Sequence, residues 1–312
     1  MSNPYISIVI PVYNEAGNLY PLYDRLIATL DALNKSYEVI FTNDGSRDCS
    51  YAILKDLYQR RPKQIRIIDF NGNFGQHMAI MAGFAVSRGD VVITLDADLQ
   101  NPPEEIAKLL AAFEAGSDCV GGVRAERQDN WFRRYASRLN NWIRFILTNI
   151  KMTDQGCMLR AYSRRVVDLM VASNESSVYI PALAYSFAIQ PTEVLVAHSA
   201  RESGVSKYSL YKLLRLNFDI MTGFSLIPLQ MFTMIGMCVS LFSGVLVVVL
   251  LVRRFMIGPE VGGVFTLFAI MYFLIGIVLM SLGIVGEYIG RIYQDGRKRP
   301  PYVIRETIES SD

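Results

Sequence analysis

The sequence predicts an α/β domain built on a mostly parallel sheet, followed by interfacial helices and two membrane-spanning helices. Three observations carry that expectation. Residues 5 to about 120 alternate apolar strand patterns with helical ones, and such alternation implies parallel strands with helices on both faces. Basic, aromatic-rich stretches follow over about 130–150 and about 207–225. Two long runs without a charged residue, 227–252 and 264–286, come next, and each is long enough to cross a bilayer.

The elements follow in order. Ile6–Ile10 is a short β-branched strand leading into Pro11-Val12-Tyr13-Asn14-Glu15, and a helical pattern runs from Asn18 to Leu33. A second strand, Tyr37–Thr42, ends in Asn43-Asp44-Gly45-Ser46 and precedes a helix over Cys49–Gln59. Ile65–Phe70 is a third strand, Gln76–Ser87 a third helix and Val91–Leu95 a fourth strand. Pro102 and Pro103 open a helix over Glu104–Glu114, at positions where a missing N–H costs little. A further strand ends at Gly121-Gly122-Val123-Arg124. The glycine- and asparagine-rich turns all follow strands, which puts them on one edge of the sheet.

Between Trp131 and Phe145, helical spacing places Trp131, Tyr135, Leu139, Trp142 and Phe145 near one face, with Arg134, Arg138 and Arg144 beside it. A basic helix with an aromatic stripe suits the membrane interface. Lys207–Phe224 has the same character and runs into the first apolar span. The expected organisation is a domain over 1–225, two spans within 226–290 and a tail over 291–312. Basic residues upstream (Arg201, Lys207, Lys212, Arg215) and downstream (Arg291, Arg297, Lys298, Arg299) outnumber Arg253 and Arg254 between the spans. Both termini are therefore expected in the cytoplasm.

Composition narrows the function. The chain has 312 residues, enough for two domains, and 51% of them are hydrophobic, an excess concentrated in the last third. A net charge of +2 gives no electrostatic footprint for nucleic acid. Cys49, Cys119, Cys157 and Cys238 form no Cys-x-x-Cys pair, which suits a reducing compartment. His77 and His198 are too few and too far apart for a metal cluster of their own. The N-terminus enters a strand directly, without the apolar stretch of a signal peptide. The first domain is thus expected to stay on the side where it is made.

The chemistry centres on Thr94-Leu95-Asp96-Ala97-Asp98-Leu99-Gln100. On a continuing strand, Asp96 and Asp98 at i and i+2 project to the same side. Two like charges so close repel unless a cation lies between them, and hard divalent cations prefer oxygen ligands. Pro11–Glu15 and Asn43–Asp48 add further acceptors on the same edge, where open α/β sheets bind ligands. Neither a phosphate-cradling GxxxxGK[ST] nor a GxGxxG after the first strand is present. The pattern fits a mononucleotide whose phosphates are bridged by a metal. Arg124, Arg133, Arg201 and Lys207 could clamp an anionic head group.

These residues resemble family 2 glycosyltransferases of the GT-A fold, and specifically the polyprenyl-phosphate glycosyltransferases. Pro11–Glu15, Asp44-Gly45-Ser46, Asp96–Gln100 and the two C-terminal apolar runs carry the resemblance. Asn73–His77, Leu99–Glu105, Gly156–Tyr162, Ser206-Lys207-Tyr208 and Gly286–Tyr293 make it closer. It covers nearly the whole chain. The resemblance implies a UDP-sugar donor, with 4-deoxy-4-formamido-L-arabinose the expected sugar, and undecaprenyl phosphate as acceptor, in lipid A modification at a bacterial inner membrane. Glucose, mannose and hexosamine transfer are the alternatives. It also implies a homo-oligomer, such as the tetramers that similar enzymes form.

Carried over residue by residue, the resemblance implies that Pro11, Tyr13 and Glu15 frame the nucleotide. Asp44 would lie near the base, and His77 near the donor phosphates. Asp96, Asp98 and Gln100 would hold Mg²⁺ or Mn²⁺. Asp154 falls at the catalytic carboxylate, and Arg124, Arg133, Ser137, Arg201 and Lys207 fall at positions that bind donor or lipid phosphate. One departure concerns the two aspartates that the family has before the Gly-Ser, because here the first is Asn43. An amide still hydrogen-bonds a ribose or base. Cys157 has no histidine beside it in sequence to activate it, which makes it a small buried side chain rather than a nucleophile. A processive polysaccharide synthase would need a QxxRW motif and more spans. A membrane-tethered nucleotide sensor would need no metal pair, phosphate clamp and Asp154 together.

Overall fold

A computed structural model describes residues 3–124, 152–154, 156–173, 179–198, 227–258, 264–296 and 300–310. The expected interfacial helices, over about 130–150 and about 207–225, lie outside the described residues. The chain divides into two compact units. Among the described residues, one unit holds those up to residue 198 together with 300–310, and the other holds the two long apolar helices.

The first unit is built on one eight-stranded sheet. Its strands are β1 (Ile6–Val12), β2 (Tyr37–Asn43), β3 (Ile65–Phe70), β4 (Val91–Thr94), β5 (Cys119–Arg124), β6 (Arg160–Ser163), β7 (Pro191–Val196) and β8 (Ile304–Ile308). Their spatial order is β7-β5-β6-β4-β1-β2-β3-β8. The pairs β1–β2, β1–β4, β2–β3 and β5–β7 are parallel, while β6 runs antiparallel to both β4 and β5, and β8 antiparallel to β3. The β/α alternation seen in the sequence accounts for β1 to β4. It does not reach β6, β7 or β8, which belong to the segments after residue 125.

Helices cover both faces, which is why every residue of β1 is buried. Ile6, Ile8, Ile10 and Val12 pack with Leu19, Leu22, Leu26 and Leu30 of α1 (Leu19–Ala32), Leu54 and Leu57 of α2 (Ser50–Arg60), and Leu109 of α4 (Ile106–Glu114). On the opposite face Gly83 of α3 (Gln76–Val86) lies against Val9, so closely that a Cβ there would collide with the valine methyls. Truncating one of these core leucines to alanine costs about 2–5 kcal/mol. Two further α-helices described in this unit are α5 (Arg164–Ser173) and α6 (Ile180–Phe187).

Pro11 sits in a central strand without breaking it. Val9 accepts from Leu95 toward β4 and Val12 accepts from Asp44 toward β2, so Pro11 faces the β4 side. The β4 ladder ends at Val9↔Thr94, and no donor is needed beyond it.

The structure corrects one expectation here. β4 stops at Thr94, so Asp96 and Asp98 lie on a turn rather than on a continuing strand. Leu99 adopts a left-handed conformation with φ 60°. Alternation nevertheless persists: Leu95, Ala97 and Leu99 are buried while Asp96, Asp98 and Gln100 are half-buried. Three apolar side chains anchor the turn and leave three polar ones accessible.

The second unit contains α7 (Ile227–Ile257) and α8 (Val264–Gly296), one over each apolar run. Among the described residues, one stretch is long and apolar enough to cross a membrane, Ile270–Gly290 within α8. Many large apolar side chains along both helices are exposed, including Leu241, Phe242, Val248, Phe273 and Leu279. The sequence leaves 291–312 as a tail, but α8 continues to Gly296 and Ile304–Ile308 adds an edge strand to the first unit's sheet.

Candidate active site

The loops after β1, β2 and β4 are stitched into one surface. Asn14, in a left-handed conformation, donates its N–H to Ser46 Oγ at 3.0 Å, and its Oδ1 accepts from the Arg47 N–H at 2.8 Å. Glu15 N–H reaches Ser50 Oγ at 3.0 Å and Ala16 N–H reaches Asp48 Oδ2 at 3.1 Å. The β1 loop is thereby fixed to the β2 loop, and Tyr13 between them stays 42% exposed, free to meet a ligand.

Asp44 organises the next loop. Its carboxylate accepts from Phe74 N–H at 2.6 Å, Gly75 N–H at 2.9 Å and Asn73 Nδ2 at 2.9 Å. These groups open α3, whose N-terminus favours a negative charge. Burial pushes the Asp44 carboxyl above its ordinary value, against the lowering effect of the two N–H groups. Gly45 makes this arrangement possible. It has φ +65°, and a Cβ there would sit 2.5 Å from the Gly72 carbonyl carbon and 2.9 Å from Asn73 N. Asn43, where the family pattern has aspartate, donates Nδ2 to Asp69 Oδ1 at 2.6 Å. Both residues are buried, and an aspartate at 43 would set two carboxylates against each other.

On the β4 turn, Asp96 Oδ1 accepts from Gln76 Nε2 at 2.7 Å, and Asp98 Oδ1 accepts from the Gln100 N–H at 3.2 Å. Among the described residues no three histidine, cysteine or acidic side chains stand close enough to hold a metal ion. Both aspartates are half-buried, and the Gln76 amide and the Gln100 N–H are neutral donors to them. Carboxylate oxygens of this kind are the ligands that a hard divalent cation prefers.

His198, just past β7, joins this group. Burial and the Arg124 charge lower its pKa, while the charges of Asp154 and Asp98 and the Gln100 main chain act in the other direction. Its Nδ1 is buried without a hydrogen-bond partner. An orphaned imidazole nitrogen beside an oxygen-rich turn fits a divalent cation. The segment is held from below by Glu105 Oε2, which accepts from the Ala197 N–H at 3.1 Å. The sequence offered no signal for this residue, since a lone histidine after an unpredicted strand is indistinguishable from an ordinary surface one.

Asp154 lies at the other side of the β5–β6 end. It is 4% exposed and accepts from Arg124 Nε at 2.6 Å and Arg124 NH2 at 2.8 Å, with the Gly156 N–H at 3.0 Å. Burial pushes its carboxyl up, but the Arg124 fork and the N–H groups of Arg124 and Gly156 outweigh it, and the net shift is downward. Asp154 is therefore a fixed negative charge, poorly suited to taking up a proton. Arg160, wholly buried, supports the same loop by donating to the carbonyl oxygens of Asp154 at 2.6 Å and Cys157 at 2.8 Å. Cys157 is buried and its thiol is pushed up to about 11 by that burial, as expected of a packing residue. His77 stacks edge-on against Tyr179 at 5.4 Å, and burial lowers it to about 4, so its ring is neutral at neutral pH. Arg133, Ser137, Arg201 and Lys207 lie outside the described residues.

A mostly parallel α/β sheet whose carboxyl edge carries acidic turns after β1, β2 and β4 is the GT-A-like frame of a glycosyltransferase. The chain belongs to glycosyl transferase family 2, whose sequence model matches residues 7–171. It is 46% identical over 309 residues to the undecaprenyl-phosphate 4-deoxy-4-formamido-L-arabinose transferase of Edwardsiella ictaluri, covering 98% of this chain and 95% of that protein. It is 47% identical over 305 residues to the Serratia proteamaculans protein of the same name, covering 97% and 94%. In fold it is similar to the crystal structure of M. tuberculosis glucosyl-3-phosphoglycerate synthase, with a TM-score of 0.52 and 16% identity over 70% of this chain and 78% of that one.

Proposed function

We propose that this glycosyltransferase moves 4-deoxy-4-formamido-L-arabinose from UDP to undecaprenyl phosphate at a bacterial inner membrane. Near-full-length similarity to transferases of that name supports the substrates. The observation that carries the chemistry is that Asp98 on the β4 turn and the Arg124–Asp154 ion pair both act on His198. Pro11, Tyr13 and Glu15 frame the nucleotide, and Asn43 and Asp44 act on the base by holding the 43–46 turn and the 73–75 loop. His77 sits behind that loop as a neutral ring.

Asp96, Asp98 and Gln100 supply oxygen ligands, and His198 a nitrogen, for Mg²⁺ or Mn²⁺. When bound, the ion neutralises the charge of the departing diphosphate. The nucleophile is an oxygen of the lipid phosphate, which forms a bond to the anomeric carbon as the bond from that carbon to the UDP oxygen breaks. A phosphate monoester with a second pKa near ~6 is largely dianionic at neutral pH, so no general base is required. Asp154, kept ionised by Arg124, stabilises positive charge developing on the sugar ring. Arg133, Ser137, Arg201 and Lys207 belong to the phosphate-binding set on the strength of the family resemblance. The helices α7 and α8 both span the membrane, with catalytic domain and termini in the cytoplasm.

The test is turnover of purified protein with undecaprenyl phosphate, divalent metal and a panel of UDP- and GDP-sugars, read by mass spectrometry of the lipid. The expected product is lipid-linked 4-deoxy-4-formamido-L-arabinose with release of UDP. Preference for another sugar would overturn the assigned donor, and no glycolipid from any donor would overturn the reaction.

A further inference from the structure

The segment after the apolar helices returns to the catalytic unit as β8, and its contacts converge on the loops that carry the donor site. We propose that Arg305 and Tyr302 are positioning residues for the donor nucleotide, acting through the ends of β2 and β3. This rests on the donor-site reading above.

Two routes lead from the strand to the site. Along the first, Arg305 NH1 lies 3.3 Å from Asp69 Oδ2. Asp69 is 1% exposed, and that oxygen has no hydrogen-bond partner, so the arginine charge offsets a carboxylate removed from water. The other oxygen, Oδ1, accepts from Asn43 Nδ2 at 2.6 Å. Asn43 Oδ1 in turn accepts from the Ser46 N–H at 3.3 Å, and Ser46 Oγ accepts from the Asn14 N–H at 3.0 Å. One charge on the returning strand thus orients an amide that ties the β2 turn to the β1 loop.

Along the second route, the Tyr302 ring stacks on Phe70 with centroids 5.1 Å apart and planes at 13°. Phe70 meets Phe74 edge-on at 5.6 Å, and the Phe74 N–H donates to Asp44 at 2.6 Å. Asn71 N–H also bonds the Val303 carbonyl at 3.1 Å. The β3–β8 register shifts between Asp69 and Phe70, at the point where β3 gives way to the 71–75 loop. The strand is anchored independently of both routes. Glu306 bonds the Tyr51 hydroxyl at the start of α2, and Glu309 pairs with Arg66 of β3. Arg305 and Tyr302 can therefore be altered while those anchors hold β8 in place.

The experiment uses the full-length protein and compares wild type with Arg305→Met, Arg305→Lys, Tyr302→Leu and Tyr302→Phe. UDP affinity is measured by calorimetry with Mn²⁺ present, alongside kcat and the KM values for donor and lipid. Arg305→Met and Tyr302→Leu should each weaken UDP and raise donor KM about fivefold, the size of a typical coupling between contacting residues. kcat and lipid KM should stay at the wild-type level, and Arg305→Lys and Tyr302→Phe should restore affinity. A merely structural role would lower active fraction and leave donor KM unchanged. Wild type binding UDP while Arg305→Met and Tyr302→Leu bind equally well overturns the positioning role alone. Wild type binding no UDP overturns the donor-site reading and this role with it.

Discussion

Replacing Asn43 with aspartate, the residue of the family pattern, should destabilise this protein in a pH-dependent way. Asn43 Nδ2 and Asp69 Oδ1 are 2.6 Å apart, and the two residues are 2% and 1% exposed. The substitution removes the donor and sets two carboxylates at hydrogen-bond distance with little water to screen them. Arg305, at 3.3 Å from the other Asp69 oxygen, offsets one charge only. Breaking a buried hydrogen-bonded partnership and leaving a charge uncompensated costs about 3 kcal/mol. The folded pair relieves the repulsion by binding a proton that the unfolded chain, with ordinary carboxyls near ~3.9, releases. Stability then falls as pH rises, because the folded state holds more protons than the unfolded one. Chemical denaturation of wild type and Asn43→Asp at pH 5 and pH 8 should show the full deficit at pH 8 and a smaller one at pH 5. A variant as stable as wild type at pH 8, or a deficit equal at both values, would refute the reasoning.

Asp98→Ala should lower turnover by at least about a hundredfold while the protein stays folded, since its side chain is half-buried on a turn anchored by Leu95, Ala97 and Leu99. Steady-state rates and thermal melts of the same preparation check both halves. Asp154→Asn should lower kcat by about a hundredfold. Because its carboxyl is held below the ordinary carboxylate range, Asp154 contributes stability above that range and loses it as pH falls through the folded pKa. Melting below about pH 4 should therefore depend less on pH in the variant than in wild type. Gly45→Ala forces a left-handed alanine and a clash with the Gly72 and Asn73 backbone, which should cost about 2 kcal/mol. Denaturation midpoints should fall and donor KM should rise.

The half of the fold that positions the nucleotide was legible because local pattern and tertiary structure agree there. β-branched runs, helical spacing and turns with Asn, Asp and Gly place β1 to β4 and their helices within a residue or two. Asp96, Asp98 and Asp44 were visible for the same reason, as acidic residues at strand ends. The Asp96–Gln100 segment then misled on one point. Its alternation matches a strand although Leu99 turns left-handed, because burial of Leu95, Ala97 and Leu99 imposes the same period on a turn. Long-range pairings left no local trace. β8 pairs with β3 across more than two hundred residues, and its exposed, charged sequence IRETI reads as tail. His198 and Arg160 acquire meaning only from what surrounds them: an orphaned nitrogen beside Asp98 in one case, two loop carbonyls in the other.

The claim on which the mechanism depends is that the β4 turn holds the cation beside the donor diphosphate. Anomalous diffraction from crystals of the protein with UDP and Mn²⁺ measures it directly. The account predicts a single manganese peak bonded to Asp98 and His198, with UDP seated along the loops after β1 and β2. A manganese peak away from that turn, or UDP bound with the turn carboxylates still on Gln76 and the Gln100 N–H, would contradict it.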